Sequence, residues 1–565
     1  MTDSRRALIA TALSLGVLWA WTSWYAPRPP ERPPPSSPQA PAMREPVADP
    51  EVAPAPPPDS STPIFPSTQA DTEQILILES RTARVKITNV GARILSWRLL
   101  DYLGPEGHPL ELVVPGDEER GLPFELVVPG DEARTKRLNE ALYVCTDPET
   151  ISDGKRIRCS WSDGRGEKID KTLTLPDEGY VARIEYRASD QRGPVPYLAW
   201  APGLIRDEGS SGLGRMSQDV RVAVARSGSV ERITAGDAGD WQDADRPADW
   251  GGIEGHYFAA VIAPYDRSGH FTFYGREREE GRAQEVGIAW KPDGDGTAYL
   301  FVGPKSYDLL GRIDQDYGLG LQSLIDYGYF EVIVLALFWA LKKVYGWTND
   351  SYGLAIIILT VIIKLVFYPI TQRSMVSMRK VQKQMKRLQP KIQHIKDRFA
   401  RKEKKIQNRT EMQQEIMALY RKENVNPMAS MKGCMPLLLQ MPILFGFYRL
   451  LSLAIELRLT PFLYLVDLSA PEQSVLFRTL PLMMGASMWF QQRLSGTVSP
   501  DPTQRWMMSA MPVVMTVMFW NFPSGLVLYW LVNNILSIGQ QYLINRQADA
   551  TDPSPARGRA AVKRV

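Results

Sequence analysis

Lys364 is the residue whose position most demands a chemical explanation. It sits about twelve residues into an apolar run that begins near Tyr352, well away from either end. A lysine at such a depth costs roughly 2.5–3.5 kcal/mol on membrane-insertion scales, so it must meet water or a partner. None of the chain's apolar segments offers an acid to pair with it. Thr360 lies one turn away on the same face, and in the last apolar segment Tyr529, Asn533, Ser537 and Gln540 or Gln541 form a polar stripe at helical spacing. Two such faces turned toward one another would line a wet groove that holds a positive charge. The plainer alternative is that Lys364 snorkels and the amides join helices. Conventional catalytic chemistry finds no support. There is no HExxH, nucleophile elbow or Walker A sequence, and His108, His256, His270 and His394 are scattered. Neither an enzyme, a metal site nor a cofactor is expected.

The elements that must position these residues occupy one half of the chain. Over 565 residues the composition is 44% hydrophobic with a net charge of +3, and the mean hydropathy of −0.22 would pass for a soluble protein. The average conceals a division. Of 20 methionines, all but Met1, Met43 and Met216 lie at or beyond Met375, whereas Gly, Asp and short alternating runs fill the middle. Arg5 and Arg6 precede an apolar run at 7–25 that is long enough to span; its bulky WAWTSWY end favours an anchor over a cleaved signal peptide. Residues 26–68, rich in Pro, Ala and Ser, form a linker that cannot bury a core.

From 69 to 320, runs such as QILIL, ARVKIT, ALYVC and YVARIEY, separated by Gly, Asp and Pro, predict an antiparallel β-sandwich. ELVVPGDE occurs at 111–118 and again at 125–132, which suggests a local duplication of a strand and turn. Cys145 and Cys159 fall in candidate strands, where a disulfide and two buried thiols are both open.

Beyond the sandwich, apolar segments at about 352–370, 433–455, 475–492, 507–522 and 524–543 predict five spans within a 351–545 core, six with the anchor. A shorter run at 332–340, within 321–350, predicts an interfacial amphipathic helix. Between 371 and 425 stand sixteen Lys or Arg against five acids, a net charge of +11. The positive-inside bias puts that segment in the cytoplasm, along with both termini and the basic 546–565 tail, and puts residues 26–350 in the periplasm. Apolar stripes at Met375, Met378, Val381, Met385, Leu388, Ile392, Ile395 and Phe399, and at Met412, Ile416 and Leu419, predict a helical hairpin, with Pro390 ending one helix at Gln389. Its cations, among them Arg379, Lys380, Lys383, Lys386, Arg387 and Lys391, suit anionic lipid headgroups or an RNA-rich partner such as the ribosome.

A groove carrying water and one positive charge partway into a bilayer would shorten the crossing of a polar flank. The apolar segment attached to that flank gains roughly 0.3–0.6 kcal/mol per Leu or Ile on entering lipid, so no nucleotide is needed. Rival readings are a secondary transporter or channel, for which repeats and gapped helices are missing from the sequence, and a sugar-modifying enzyme, which would need paired carboxylates in a cleft.

GPKSYDLL at 303–310, FYPIT at 367–371, LQPKI at 388–392, ALYRKENVNPM at 418–428, GCMPLLLQMPI at 433–443 and FPSGLVLYW at 522–530 resemble the YidC/Oxa/Alb family of membrane insertases. That resemblance implies a membrane all-α bundle of one anchor plus a five-helix core, a periplasmic antiparallel β-sandwich of the Gram-negative form and a cytoplasmic hairpin. It also implies nascent membrane proteins as clients, with ribosomes, membrane lipids and the Sec translocon with its accessory subunits as partners, and no DNA. The groove's central cation falls on Lys364, where many relatives have arginine, and its client-contacting positions fall on Thr360 and Trp530. Lysine keeps the charge but loses the planar fork of donors.

Overall fold

A computed structural model of the protein describes residues 66–550 except 105–106, 114–120, 190–192, 205–219, 238–240, 245, 278–283, 293–295, 401–405, 424–434, 474–477 and 496–501. The expected anchor, nearly all of the linker, and the basic tail from 551 onward lie outside the described residues.

The first half is built of antiparallel strands in sheets of four, ten and five. Side-chain parity explains how they stack. In Ile75–Glu79, Leu76 and Leu78 are buried while Ile75 and Ile77 face outward, the two-residue period of a half-covered strand. Phe258–Pro264 is buried throughout because both of its faces are covered. Phe258, Ala260 and Ile262 join the large core with Trp97, Trp200 and Trp290, whereas Ala259, Val261 and Ala263 join a second core closed by Leu310, Ile313 and Leu324. Leu310 and Ile313 belong to helix α2 (Tyr307–Tyr317), which covers the back of the ten-stranded sheet.

The two ELVVPGDE copies are placed differently: the first enters at the end of strand Pro109–Glu111, whereas the second pairs its Leu126–Val127 as a strand. In the second copy Asp131 then caps helix α1 (Glu132–Glu140) by accepting from the Arg134 amide at 2.9 Å. Cys145 stands directly opposite Cys159 in an antiparallel pair, and the two form a disulfide. Lys171 is buried and donates to the carbonyls of Gly91, at 2.7 Å, and Phe124, at 2.6 Å. Both of those residues have left-handed backbone, φ 68° and 71°, so the buried ammonium joins two turns that ordinary strand pairing cannot hold. Burial pushes its pKa well below the usual lysine value.

The second half is helical: α3 (Glu331–Tyr345), α4 (Tyr352–Ala400), α5 (Ile406–Lys422), α6 (Met435–Leu453), α7 (Thr479–Ser495), α8 (Pro502–Met518) and α9 (Ser524–Ala550). Helix α3 extends past the expected 332–340 run and buries Val334, Leu337, Phe338 and Leu341 in the helical core. Helix α4 corrects the expected break at Pro390. It runs unbroken through both Pro369 and Pro390, because continuing keeps Leu388 and Ile392 on one face against Tyr420, Ile416 and Leu419 of α5. That packing offsets the hydrogen bond a proline removes. Among the described helices, α4 alone carries an 18-residue stretch apolar and long enough to cross a membrane, with mean hydropathy 2.4. Even so, large apolar side chains point outward from several others, including Leu482 and Phe490 on α7, Val513 and Val517 on α8, and Ile535 on α9.

Among the described residues, two polar sets of contacts stand out between the halves. The segment after α6 meets the sheets through Ser306, which donates to Glu456 at 3.0 Å, and Arg458, which donates to the Leu103 carbonyl at 2.8 Å. At the end of the sheets, the buried Glu254 carboxylate takes Arg221 and Arg232 on one oxygen, at 2.9 and 2.8 Å, and Lys305 on the other, at 3.4 Å. Arg232 also reaches the Ser323 and Leu324 carbonyls that lead toward α3. Burial alone would raise the Glu254 pKa, but Lys305, Arg232 and Arg221 together hold it below the usual carboxylate range. Its contribution to stability is therefore present above the ordinary carboxylate pKa and is lost as pH falls through the lower folded value. Glu254→Gln leaves three cations facing one another, and thermal unfolding of the detergent-solubilised protein at neutral pH is expected to show a loss of about 3–5 kcal/mol. An unchanged midpoint would remove this cluster from the list of stabilising contacts.

Candidate functional site

Lys364 lies roughly 18 Å along α4 from its start at the standard helical rise. Its ammonium donates to Ser537 Oγ at 2.6 Å and to Asn533 Oδ1 at 3.2 Å, both on α9. Ser537 in turn donates to the Asn533 backbone carbonyl at 2.7 Å. The hydroxyl is thereby polarised to accept from the lysine, a relay in which each bond strengthens the next. No carboxylate pairs with Lys364 among the described residues. Two of its three donors are used, which leaves one uncommitted.

These groups line a cavity of about 310 Å³ between α4, α6, α7 and α9. Of the expected residues, Lys364, Trp530, Asn533 and Ser537 border it, as does Gln541 in place of Gln540. The other three lie nearby but off the wall. Thr360 is buried and donates to its own helix at the Ile356 carbonyl, 2.6 Å away. Tyr529 is fully buried, stacks on Phe447 with centroids 4.4 Å apart, and accepts from Gln440 through its hydroxyl. Gln540 donates to Thr371 and Gln372 of α4, at 3.3 and 3.2 Å. At about 100° per residue, Trp530, Asn533, Ser537 and Gln541 share an arc of about 80°, and Tyr529 and Gln540 fall just beyond one edge of it. The off-wall residues set the register of α9 against its neighbours, as does Asn534 on the wall itself, which donates to Ser487 of α7 at 3.0 Å.

Sequence reasoning missed part of the wall. Thr371, Ser374, Gln440, Gln491, Ser495 and Asn534 add to the polar lining, and Met375, Met378 and Met488 supply the apolar part. Gln491 and Ser495 stand four apart at the end of their apolar run, the same signal that marked α9. Arg379, assigned from the sequence to the basic hairpin, also borders the cavity, and its guanidinium donates to the Ile544 carbonyl at 2.7 Å. Lys380, Lys386, Arg387 and Lys391 are exposed farther along α4, and Lys383 is partly buried; Lys391 pairs with Glu423, just past α5, at 2.5 Å.

A family profile described as 60Kd inner membrane protein matches residues 343–551, and one described as YidC periplasmic domain matches residues 77–340. A membrane protein insertase YidC from Syntrophus aciditrophicus is 32% identical over 583 residues, covering 96% of this chain and 100% of the relative. This chain belongs to the YidC family. A YidC from Lawsonia intracellularis reaches 41% identity over 404 residues, covering 68% of this chain and 70% of its own. A solved active YidC insertase aligns over 85% of this chain and 95% of its own at 16% identity, with a TM-score of 0.36. Every residue bordering the cavity falls inside the segment matched by the inner-membrane profile.

If the cavity is wet, cysteines placed on its wall must react faster than cysteines on the outer face of the same helix. With Cys434 replaced by serine, Ser537→Cys and Gln541→Cys in membrane vesicles are expected to react severalfold faster with a water-soluble maleimide than Ile535→Cys, which points outward. Equal rates at all three positions would contradict a polar, hydrated wall.

Proposed function

We propose that the cavity around Lys364 is the groove in which this YidC-family insertase receives the polar flank of a client while the client's apolar segment moves sideways into lipid. One observation carries the proposal: a cation held only by neutral dipoles, in a polar cavity among helices whose outer surfaces are apolar. A cation already paired with an acid would have nothing to offer an acidic flank. Lys364 has one donor uncommitted and partners that can release it at modest cost. Insertion is downhill for the apolar segment, so the groove acts on the barrier by shortening the polar crossing.

The wider topology follows the same reasoning. Six spans, including a five-helix core, place the β-sandwich in the periplasm and the α4–α5 hairpin with both termini in the cytoplasm, in agreement with the +11 charge of 371–425. Helix α3 then lies at the outer interface, consistent with its exposed Val332 and Trp339. The exposed cations of the hairpin make it a dock for ribosomal RNA, so that clients arrive during synthesis, and the family resemblance supports work both alone and beside the Sec translocon.

The charge is tested by depletion of the protein followed by protease protection of a short coat-like client's translocated tail. Lys364→Arg is expected to support insertion, Lys364→Ala to support it in part, and Lys364→Glu to abolish it. Normal insertion with Lys364→Glu as the only copy would sink the role given to the cation. For the hairpin, ribosome affinity is expected to fall steeply with salt, and Lys386→Glu with Arg387→Glu should reduce the slope of log K against log salt by about 1.4, roughly 0.7 for each lost cation. A flat salt response would exclude electrostatic docking.

A further inference from the structure

We propose that the cleft between α2 and α3 binds the phosphodiester headgroup of an anionic phospholipid, with the acyl chains laid along α3. The cleft is a cavity of about 530 Å³. Tyr307 and Asp308 of α2 form one side, and Leu335, Trp339, Lys342 and Lys343 of α3 form the other. The α3 residues stand at intervals of four, seven and eight, so they share one stripe that passes from apolar to aromatic to cationic over about 12 Å. That order is the profile of an amphiphile. Phe338 closes the floor, edge-on to Tyr307 with centroids 6.0 Å apart.

The charges select the headgroup. Lys342 forms an ion pair with Asp308 and lies over the Phe338 ring, 5.2 Å from its centre. Lys343 is exposed and has no ion pair among the described residues. The cleft therefore presents a net charge of +1, which complements a singly charged phosphodiester better than a zwitterion or a dianionic phosphate. Lysines in the last turn of a helix also answer its dipole, but the dipole does not account for Trp339, which is 66% exposed at the mouth of the cleft, or for Trp347, 78% exposed just beyond the helix. Tryptophan beside lysine marks the boundary between lipid and water. The inference rests on the reading that α4, which starts at Tyr352 just after this helix, crosses the bilayer.

The full-length protein in dodecyl maltoside would be titrated with dioleoyl-phosphatidylglycerol or dioleoyl-phosphatidylcholine, and retained lipid counted by native mass spectrometry. Phosphatidylglycerol is expected to bind more tightly than phosphatidylcholine. Lys343→Gln should weaken phosphatidylglycerol about fivefold, and Asp308→Asn, which frees Lys342, should strengthen it. Neither change should alter phosphatidylcholine. Equal phosphatidylglycerol affinity in the wild type and Lys343→Gln would overturn the site, as would phosphatidylcholine binding equally well. Displacement of the lipid by inorganic phosphate would reveal a free-anion site instead. Resistance to carbonate extraction, measured on membranes carrying the same proteins, tests the spanning reading separately. Its loss would sink that reading, whereas resistance combined with a flat lipid response would sink the lipid site alone.

Discussion

A cation set among apolar helices has to be solvated by whatever the fold can bring to it, and the arrangement of the helical half follows from that requirement at Lys364. Asn533 and Ser537 supply the nearest oxygens, so α9 must keep one rotational setting against α4. Slipping α9 by one residue would turn its polar arc by about 100° and put Val532 and Leu536, or Asn534 and Ile538, where Asn533 and Ser537 now stand. Contacts on and around the cavity wall prevent this. Gln540 fastens α9 to α4, Asn534 fastens it to α7, and Tyr529 is wedged between Phe447 and Gln440 of α6. Tyr529 and Gln540 thus set the groove from outside its wall, while Asn534 and Gln440 both set it and line it.

The β region is joined to this bundle through polar contacts that have direction as well as strength. Glu254 gathers Arg221 and Arg232 from two strands and Lys305 from just past a third, and Arg232 extends to the chain that becomes α3. On the other side, Arg458 and Glu456 bring the segment after α6 against the sheets. Charged hydrogen bonds of this kind fix orientation better than an apolar contact, which tolerates sliding. The consequence for the groove is indirect. Helices α4 and α6, which contribute to its wall, both begin or end close to a chain segment tied to the sheets.

Much of this was legible in the sequence where a pattern is local. The two-residue alternation of ILILE and the helical stripe from Leu388 to Ile395 each record burial directly. What could not be read depends on partners distant in the chain. Pro390 looks like a terminator until α5 is packed against both sides of it. Tyr529 and Gln540 look like groove residues because their spacing is right, and only the neighbouring helices decide which edge of the arc is covered. Gln440 and Arg379 belong to the wall through tertiary placement alone. The cysteines stayed undecided until strand register set Cys145 opposite Cys159.

The choice of lysine in the groove also has a physical consequence. A guanidinium would grip a carboxylate through two parallel bonds and present a rigid plane to Asn533 and Ser537, whereas an ammonium is a compact point charge on a flexible stem. Such a charge can exchange the Ser537 hydroxyl for a passing carboxylate without reorienting a fork of donors, and it holds that carboxylate less tightly. In the proposed groove, weak holding would suit a site that must release its clients, because tight capture would deepen the intermediate and raise the barrier to leaving it. The neutral partners would serve the same proposed role, since a carboxylate in their place would neutralise the cation.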